Sequence, residues 1–396
     1  MYERRRMDIS KYAKREILQL AERPTPRTPI PRTGDIINLG AGDPDFNQPP
    51  IVAEWIKEAI EAGETHYTFQ GHPEFKKTVA EYYSKYGVKI DPETQVIPTS
   101  GGGAALFLTL AATINPGDEV IIPDPAFQGY INPIKYFGGR IVRAKMRKTE
   151  DGYFRPNIEN IEKAATDKTK LIIICNPDNP TGCIYTMEEL KEIARIATEK
   201  DFLILSDEIY NEFTWMGKKH TAIATIKEAV DRTIIAMSLS KTFAWTGLRV
   251  GYIIAPKELA ELIWRVPIGV STIPVPIQIA AAKMLREGWR FHEEMKREYK
   301  KRIEHCVKRL NEIPNIKCVH PEATFYLFPD ITETGIKSTE YTNKLFEEER
   351  VRVAAGSTFG EMGEGHIRIA LVASIEKLDE AINRIERLHK KLRNKT

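Results

Sequence analysis

The sequence predicts an α/β protein: a large domain with a mostly parallel sheet flanked by helices, plus a smaller α+β domain. Three observations predict it. Strand-like and helix-like segments alternate over about 150 residues, the order that builds a helix-covered parallel sheet. The run Leu171-Ile172-Ile173-Ile174 is apolar at every position, as expected of a parallel strand covered on both faces. Past Pro276 the alternation gives way to long charged helices and short strands. At 396 residues the chain exceeds one typical core, so two domains are the expectation. The division read from the pattern is 1–48 as an N-terminal arm and part of the smaller domain, 49–285 as the large domain and 286–396 as the smaller one.

In chain order, residues 1–22 suit an amphipathic helix, and the prolines and glycine of 23–34 make an extended connector. Ile36 to Leu39 reads as a short strand. It runs into Gly40-Ala41-Gly42-Asp43, a turn where backbone could approach a ligand or simply turn tightly. Pro50 to Glu61 carries Ile51, Ile56, Trp55, Ala59 and Ile60 at helical spacing, and a further helix spans about Pro73 to Tyr86. Between them lies the aromatic loop His66 to Gly71. Val96 to Thr99 reads as a strand leading through Ser100, Gly101, Gly102 and Gly103 into a helix. Strand, glycines and helix start make an anion-site geometry, or three glycines that permit close packing. The stretch has neither G-x-G-x-x-G nor G-K-[ST], so dinucleotide and triphosphate sites are not suggested.

Further strands are expected at Glu119–Pro123, Arg140–Arg143, Leu171–Cys175, Phe202–Ser206, Thr233–Met237 and Val250–Ile254. Thr186 to Lys200 is a helix with a capping box, Thr186 and Glu189, and one stripe of Leu190, Ile193, Ala194 and Ala197. The smaller domain is expected to hold a helix over Glu287–Asn311, a strand-rich segment over Ile316–Ile331, a helix near Thr339–Arg350 and strands at Val351–Ala354 and Ile367–Ala370. A final helix would bury Leu378, Ile382, Ile385, Leu388 and Leu392.

Charge excludes some functions. Lys plus Arg number 58 against 55 Asp plus Glu, a net +3, which argues against nucleic-acid binding driven by global charge. No run approaches the ~20 apolar residues of a membrane span. The start with Arg4-Arg5-Arg6 is not followed by the apolar stretch of a signal peptide. Cys175, Cys183, Cys306 and Cys318 show no C-x-x-C spacing, so free thiols in a reducing cytoplasm are expected, with no metal site.

Ligands of parallel sheets bind at the carboxyl ends of strands, and four motifs fall there: Ser100–Gly103, Asn176–Gly182, Asp207–Tyr210 and Ser238–Lys241. Lys241 stands among small and aromatic residues rather than in a charged run. Partial desolvation there would lower its amine pKa, as a nucleophilic lysine requires. Ser238, Ser240, Thr242 and Arg249 around it suit a phosphate. Asp207 could pair with a protonated ring nitrogen or cap a helix. The turns of Asn176-Pro177-Asp178-Asn179-Pro180-Thr181-Gly182 could set one amide over a flat ligand.

Taken together and in order, N-P-D-N-P-T-G, S-D-E-I-Y and S-L-S-K-T-F-A-W-T-G-L-R resemble the class I/II (aspartate-type) aminotransferase family of fold-type I pyridoxal-phosphate enzymes, from about Ile36 to the C-terminus. The resemblance implies pyridoxal 5′-phosphate as cofactor and Lys241 as the Schiff-base lysine. It implies Asp207 on the ring nitrogen, Tyr210 and Asn179 on the ring's phenolic oxygen, and Phe127 stacked on the ring. Ser238, Arg249 and the amides of Gly101, Gly102 and Gly103 would hold the phosphate. Tyr67 would reach the phosphate in the partner subunit of a homodimer. Gly42, Asn179 and Arg368 would line the substrate site, with Arg368 clamping the α-carboxylate. The substrates implied are an L-amino acid and a 2-oxo acid in a ping-pong cycle, of aspartate/2-oxoglutarate or broad-range type. Three departures leave the donor open. Phe127 stands where Trp or Tyr is frequent, Gly103 where many prokaryotic aspartate enzymes carry Lys, and Ala323-Thr324-Phe325 where Gly-Ala-Phe is common. An aromatic or alanine aminotransferase, or a β-lyase or decarboxylase on the same scaffold, are the alternatives, and Gly269–Gln278 is expected to contribute to the pocket.

Overall fold

The computed structural model describes residues 13–21, 35–266 and 272–393. Its main sheet has seven strands in the order Val96–Thr99, Gly251–Ile254, Thr233–Ser238, Leu203–Asp207, Thr169–Cys175, Glu119–Asp124 and Arg140–Lys145. All neighbours are parallel except Gly251–Ile254, which runs antiparallel to both of its neighbours. Side chains alternate across such a sheet, so consecutive apolar residues serve two cores. Leu171 and Ile173 face one side with Leu205 and Ile234, under the helix Gly102–Thr113. Ile172 and Ile174 face the other with Ile204, under the helix Met187–Glu199. Each of these four central isoleucines and leucines is fully buried, a gain of roughly 1.5–3 kcal/mol apiece.

The helix Met187–Glu199 starts on the expected capping box, and Leu190, Ile193, Ala194 and Ala197 are its buried face. Its Glu189 does more than cap. It receives Arg155 Nη2 at 2.8 Å, and Arg155 Nη1 donates to Glu322 at 2.8 Å. Glu322 also accepts from the Ile184 amide at 2.9 Å, and the Ala323 amide donates to Gly182 O at 2.8 Å. These bonds seat the 322–327 segment against the loop after the strand Thr169–Cys175.

A second set of elements surrounds its own core. The helices Trp289–Asn311, Ser338–Glu349 and Ile375–Arg393 cover a three-stranded sheet ordered Tyr326–Leu327, Ile367–Ala370, Ala354–Ala355. Ile37–Asn38 joins this side of the molecule, parallel to Val351–Arg352. The chain after it, residues 40–48, crosses back toward the main sheet and is pinned at both ends. Arg302 Nη1 donates to Asp45 at 2.7 Å and to Leu371 O at 2.9 Å. Gln48 donates to the carbonyls of Phe243 and Ala244 at 2.9 and 3.1 Å.

Several expectations are corrected. Residues 316–331 are not strand-rich: only Tyr326–Leu327 is a strand, with isolated bridges at Lys317, Ala323 and Asp330, because the segment follows the outline of the Trp289–Asn311 helix end and the main-sheet loops rather than a ladder. Val351–Ala354 is split between two sheets. In the helix Ile51–Glu61 the buried face is Val52, Trp55 and Ala59, while Ile51 and Ile60 are exposed. Near the N-terminus a helix is described over Arg15–Ala21; residues 1–12 and 22, the connector 23–34 and the 269–271 part of Gly269–Gln278 lie outside the described residues. Among the described residues no helix is long and apolar enough to cross a membrane. The four cysteines are free and buried.

Candidate active site

A cavity of about 560 Å³ opens where the carboxyl ends of the parallel strands meet the 40–48 crossing. Lys241, Asp207, Tyr210, Asn179, Ser238, Gly102, Gly103, Phe127, Arg249, Gly42 and Arg368 all line it. Gly101 and Tyr67 do not: Gly101 lies just before the lining pair Gly102 and Gly103, and Tyr67 is 89% exposed, stacked on Phe69 with ring centroids 6.2 Å apart.

Lys241 sits on the short helix Leu239–Thr242, whose first turn is capped by Ser238 Oγ accepting from the Ser240 amide at 3.2 Å. Its Nζ donates to the Gly42 carbonyl. Burial holds the amine down to about 8; Arg368 and Arg249 push the same way, while Asp43 and Asp207 oppose them. In the cofactor-free protein, aldehyde capture by Lys241 should therefore rise with pH through about 8 and then level, as the neutral amine becomes the main form. Stopped-flow trapping across pH checks this; a rise continuing toward the ordinary lysine range would show an unburied amine.

Asp207 ends its strand, 7% exposed. Its Oδ2 accepts from Tyr130 Oη at 2.7 Å and its Oδ1 from the Ile209 amide at 3.3 Å. No helix follows, so the capping reading of Asp207 is excluded. Burial raises its carboxyl to about 6 against the pull of those two donors and of Lys241. Glu208, next in sequence, points elsewhere and is fully buried, accepting from Ser206 Oγ, Tyr83 Oη and His220 Nε2 at 2.9, 3.1 and 3.0 Å. Tyr210 Oη lies 2.8 Å from Tyr326 Oη.

The two asparagines of the 176–182 loop divide the work. Asn176 is structural: it accepts from the Tyr185 amide at 3.0 Å and donates to Thr221 O at 3.3 Å. Asp178 turns the loop through Thr181 Oγ1 at 2.6 Å. That leaves Asn179 facing the cavity, where its Oδ1 accepts from Arg368 Nη1 at 3.1 Å. Arg368 Nη2 donates to Gly40 O at 2.6 Å, and its guanidinium lies 4.4 Å from the Tyr326 ring and 5.0 Å from that of Phe359. Arg368 Nε is buried without a hydrogen-bond partner. An orphaned donor on a 6% exposed arginine is costly unless an acceptor arrives, and a carboxylate is the acceptor that its planar fork fits.

On the opposite wall, Gly101 has φ +81°, and a Cβ there would stand 2.4 Å from Arg249 Nη2. The helix Gly102–Thr113 begins beside it, with nothing within 4 Å of a Cβ at Gly103. Arg249 Nη1 and Nη2 are held by the carbonyls of Thr246 and Ser100 at 2.8 and 3.3 Å. Helix amides, Ser238 and Arg249 thus form a cradle for an anion. Gly42 is glycine because a Cβ would lie 1.8 Å from Tyr326 Oη. Tyr130 and Tyr326 were missed by the sequence reading. The first lies three residues beyond Phe127; the second pairs in register with Ala370, on the strand that carries Arg368.

The family model for aminotransferase class I and II matches residues 34–385. The chain is 41% identical over 360 residues to aromatic-amino-acid aminotransferase 2 of Thermococcus litoralis, covering 90% of this chain and 92% of that protein. It is 40% identical over 359 residues to an aspartate aminotransferase of Pyrococcus abyssi, covering 89% and 92%. The solved aromatic aminotransferase from Pyrococcus horikoshii superimposes with a TM-score of 0.86 at 39% identity, covering 90% of this chain and 96% of that one.

Proposed function

The chain belongs to the aminotransferase class I and II family, and from that premise we propose that it moves an amino group between an L-amino acid and a 2-oxo acid with pyridoxal phosphate, as an aspartate/2-oxoglutarate or broad-range enzyme. The family generally uses this cofactor. One observation carries the reading: a half-buried lysine with its amine lowered to about 8 and a buried arginine with a free Nε face the same cavity.

The residues fit the cofactor. The cradle of Gly101, Gly102, Gly103, Ser238 and Arg249 would take its phosphate, Phe127 a ring face, and Tyr210 with Asn179 the phenolic oxygen. The Asp207 carboxylate would keep a ring nitrogen protonated. When bound, the cofactor supplies an electron sink that acidifies the substrate's Cα proton. Arg368 would bind the substrate α-carboxylate through both arms of its fork and so set which Cα bond faces Lys241. Lys241 Nζ would anchor the cofactor and carry the proton to and from Cα; its pKa of about 8 leaves about a tenth of the amine neutral at pH 7, far more than an ordinary lysine has. Residues 40–43 of the crossing and Tyr326 line the cavity beside these groups.

An aromatic donor is the second reading. It is favoured by the apolar part of the wall, Leu106, Phe127, Ile209 and Tyr326, and by the side-chain-free Gly103; one relative at 41% identity is named for aromatic amino acids. The deciding measurement is the absorbance spectrum with added pyridoxal phosphate, challenged with aspartate, glutamate, alanine and phenylalanine. Conversion to the pyridoxamine spectrum, reversed by 2-oxoglutarate, ranks the donors. A visible band unmoved by every donor, with pyruvate and ammonia or CO₂ released instead, would replace transamination by lyase or decarboxylase chemistry.

We further propose a homodimer with shared sites. Tyr67 and Phe69 are 89% and 86% exposed, outside the cavity of their own chain, as expected of a loop that completes a second copy's phosphate cradle. Sedimentation should give a dimer, and Tyr67→Ala should weaken cofactor retention; fully active monomers would refute it.

A further inference from the structure

We propose that Tyr130 is a positioning residue: its hydroxyl fixes the Asp207 carboxylate toward the cavity, so that the turn carrying Phe127 also sets the acid that meets the cofactor's ring nitrogen. The inference deepens the cofactor reading and rests on it for the ring nitrogen, but the contact between the two residues stands by itself.

Tyr130 is 1% exposed and its Oη donates to Asp207 Oδ2 at 2.7 Å. The only other hydrogen bond described for this carboxylate is the Ile209 amide on Oδ1, longer at 3.3 Å. A carboxylate's final torsion is broad and roughly two-fold, so one amide on one oxygen leaves the plane of the group poorly set. A second donor on the other oxygen sets it. The charged groups facing Asp207 are mixed in sign: Lys241 favours its ionised form and Glu208 disfavours it, while the Asp207 charge itself pushes up the neighbouring Cys175, Asp178 and Tyr326. Tyr130 is a neutral donor among them and favours the ionised form.

The turn that holds Tyr130 is itself fastened to the other side of the molecule. The Ala126 amide donates to Phe359 O at 2.9 Å, and Asp124 accepts from the amides of Glu361 and Met362 at 3.1 and 3.3 Å. Gly360, with φ +140°, makes this approach possible, because a Cβ there would lie 1.8 Å from Asp124 Oδ1. Phe127 meets Tyr130 edge to face at 5.4 Å. Residues 124–130 therefore run from the neighbourhood of Arg368 to Asp207 as one braced segment.

The test uses the full chain without cofactor. Isotope-edited infrared spectroscopy follows the carboxyl band of Asp207, identified by its loss in Asp207→Asn. Tyr130→Phe should move the midpoint about 1–2 pH units upward, the equivalent of one hydrogen bond to a charged group. An unmoved midpoint overturns the proposal. Should Tyr130→Phe fail to fold, 3-fluorotyrosine at position 130 is a stronger donor of the same shape and should move the midpoint downward; no movement again overturns it. With pyridoxal phosphate added, Tyr130→Phe should raise the cofactor's Kd about 10–100-fold near neutral pH. The infrared midpoint needs no cofactor, so failure of the parent protein to take up pyridoxal phosphate would sink the functional reading and leave Tyr130 to be decided by the carboxyl alone.

Discussion

Lys241→Ala is expected to abolish transamination and the visible band of the cofactor-loaded protein together. Removing the group that moves the Cα proton costs about 10²–10⁴-fold by itself, and loss of the covalent anchor adds to it. The fold should survive, because the Lys241 side chain donates to Gly42 O and lines a cavity rather than a core. Borohydride reduction of the parent with pyridoxal phosphate should label one peptide, the one containing Lys241. A label on another lysine, with turnover retained in Lys241→Ala, would remove Lys241 from the mechanism.

Arg368→Ala should weaken both the amino acid and the oxo acid by ~2–5 kcal/mol, the effect of truncating one partner of a buried charge pair. KM should rise for both half-reactions while the cofactor stays bound, because Arg368 touches Asn179 and Gly40 rather than the anion cradle. Arg368→Lys should not restore binding: an ammonium cannot keep the bonds to Asn179 and Gly40 and also offer a planar pair of donors to a carboxylate. Unchanged affinities in Arg368→Ala would move the carboxylate site elsewhere in the cavity.

Much of this was legible in the chain. The strands of the main sheet could be read because residues buried on both faces must be apolar throughout, and the capped helix after Thr186 because its cap and its stripe are local. The cofactor-side motifs were legible because each is a short continuous stretch at a strand end. The segment 316–331 was misread because its residues are buried by loops and helices, and burial leaves the same apolar mark whether or not a ladder forms. Ile51 and Ile60 stand at helical spacing yet are exposed, because periodicity marks a helix without showing which of its apolar residues meet a neighbour.

The sequence by itself determined the fold class, the strand ends where a ligand would bind, and the identity of Lys241, Asp207 and Asn179 as candidates, while Arg368 entered only through the family resemblance. Each is a matter of residue type within a few positions along the chain. Only the tertiary structure decided that Arg368 meets Asn179 across 189 residues, that Tyr326 fills the space a Cβ at Gly42 would need, and that Tyr130 reaches Asp207 across 77 residues. Hydrogen bonds and close approaches of that kind depend on which elements the folded chain brings within about 3 Å, and nothing in local periodicity or spacing carries that distance.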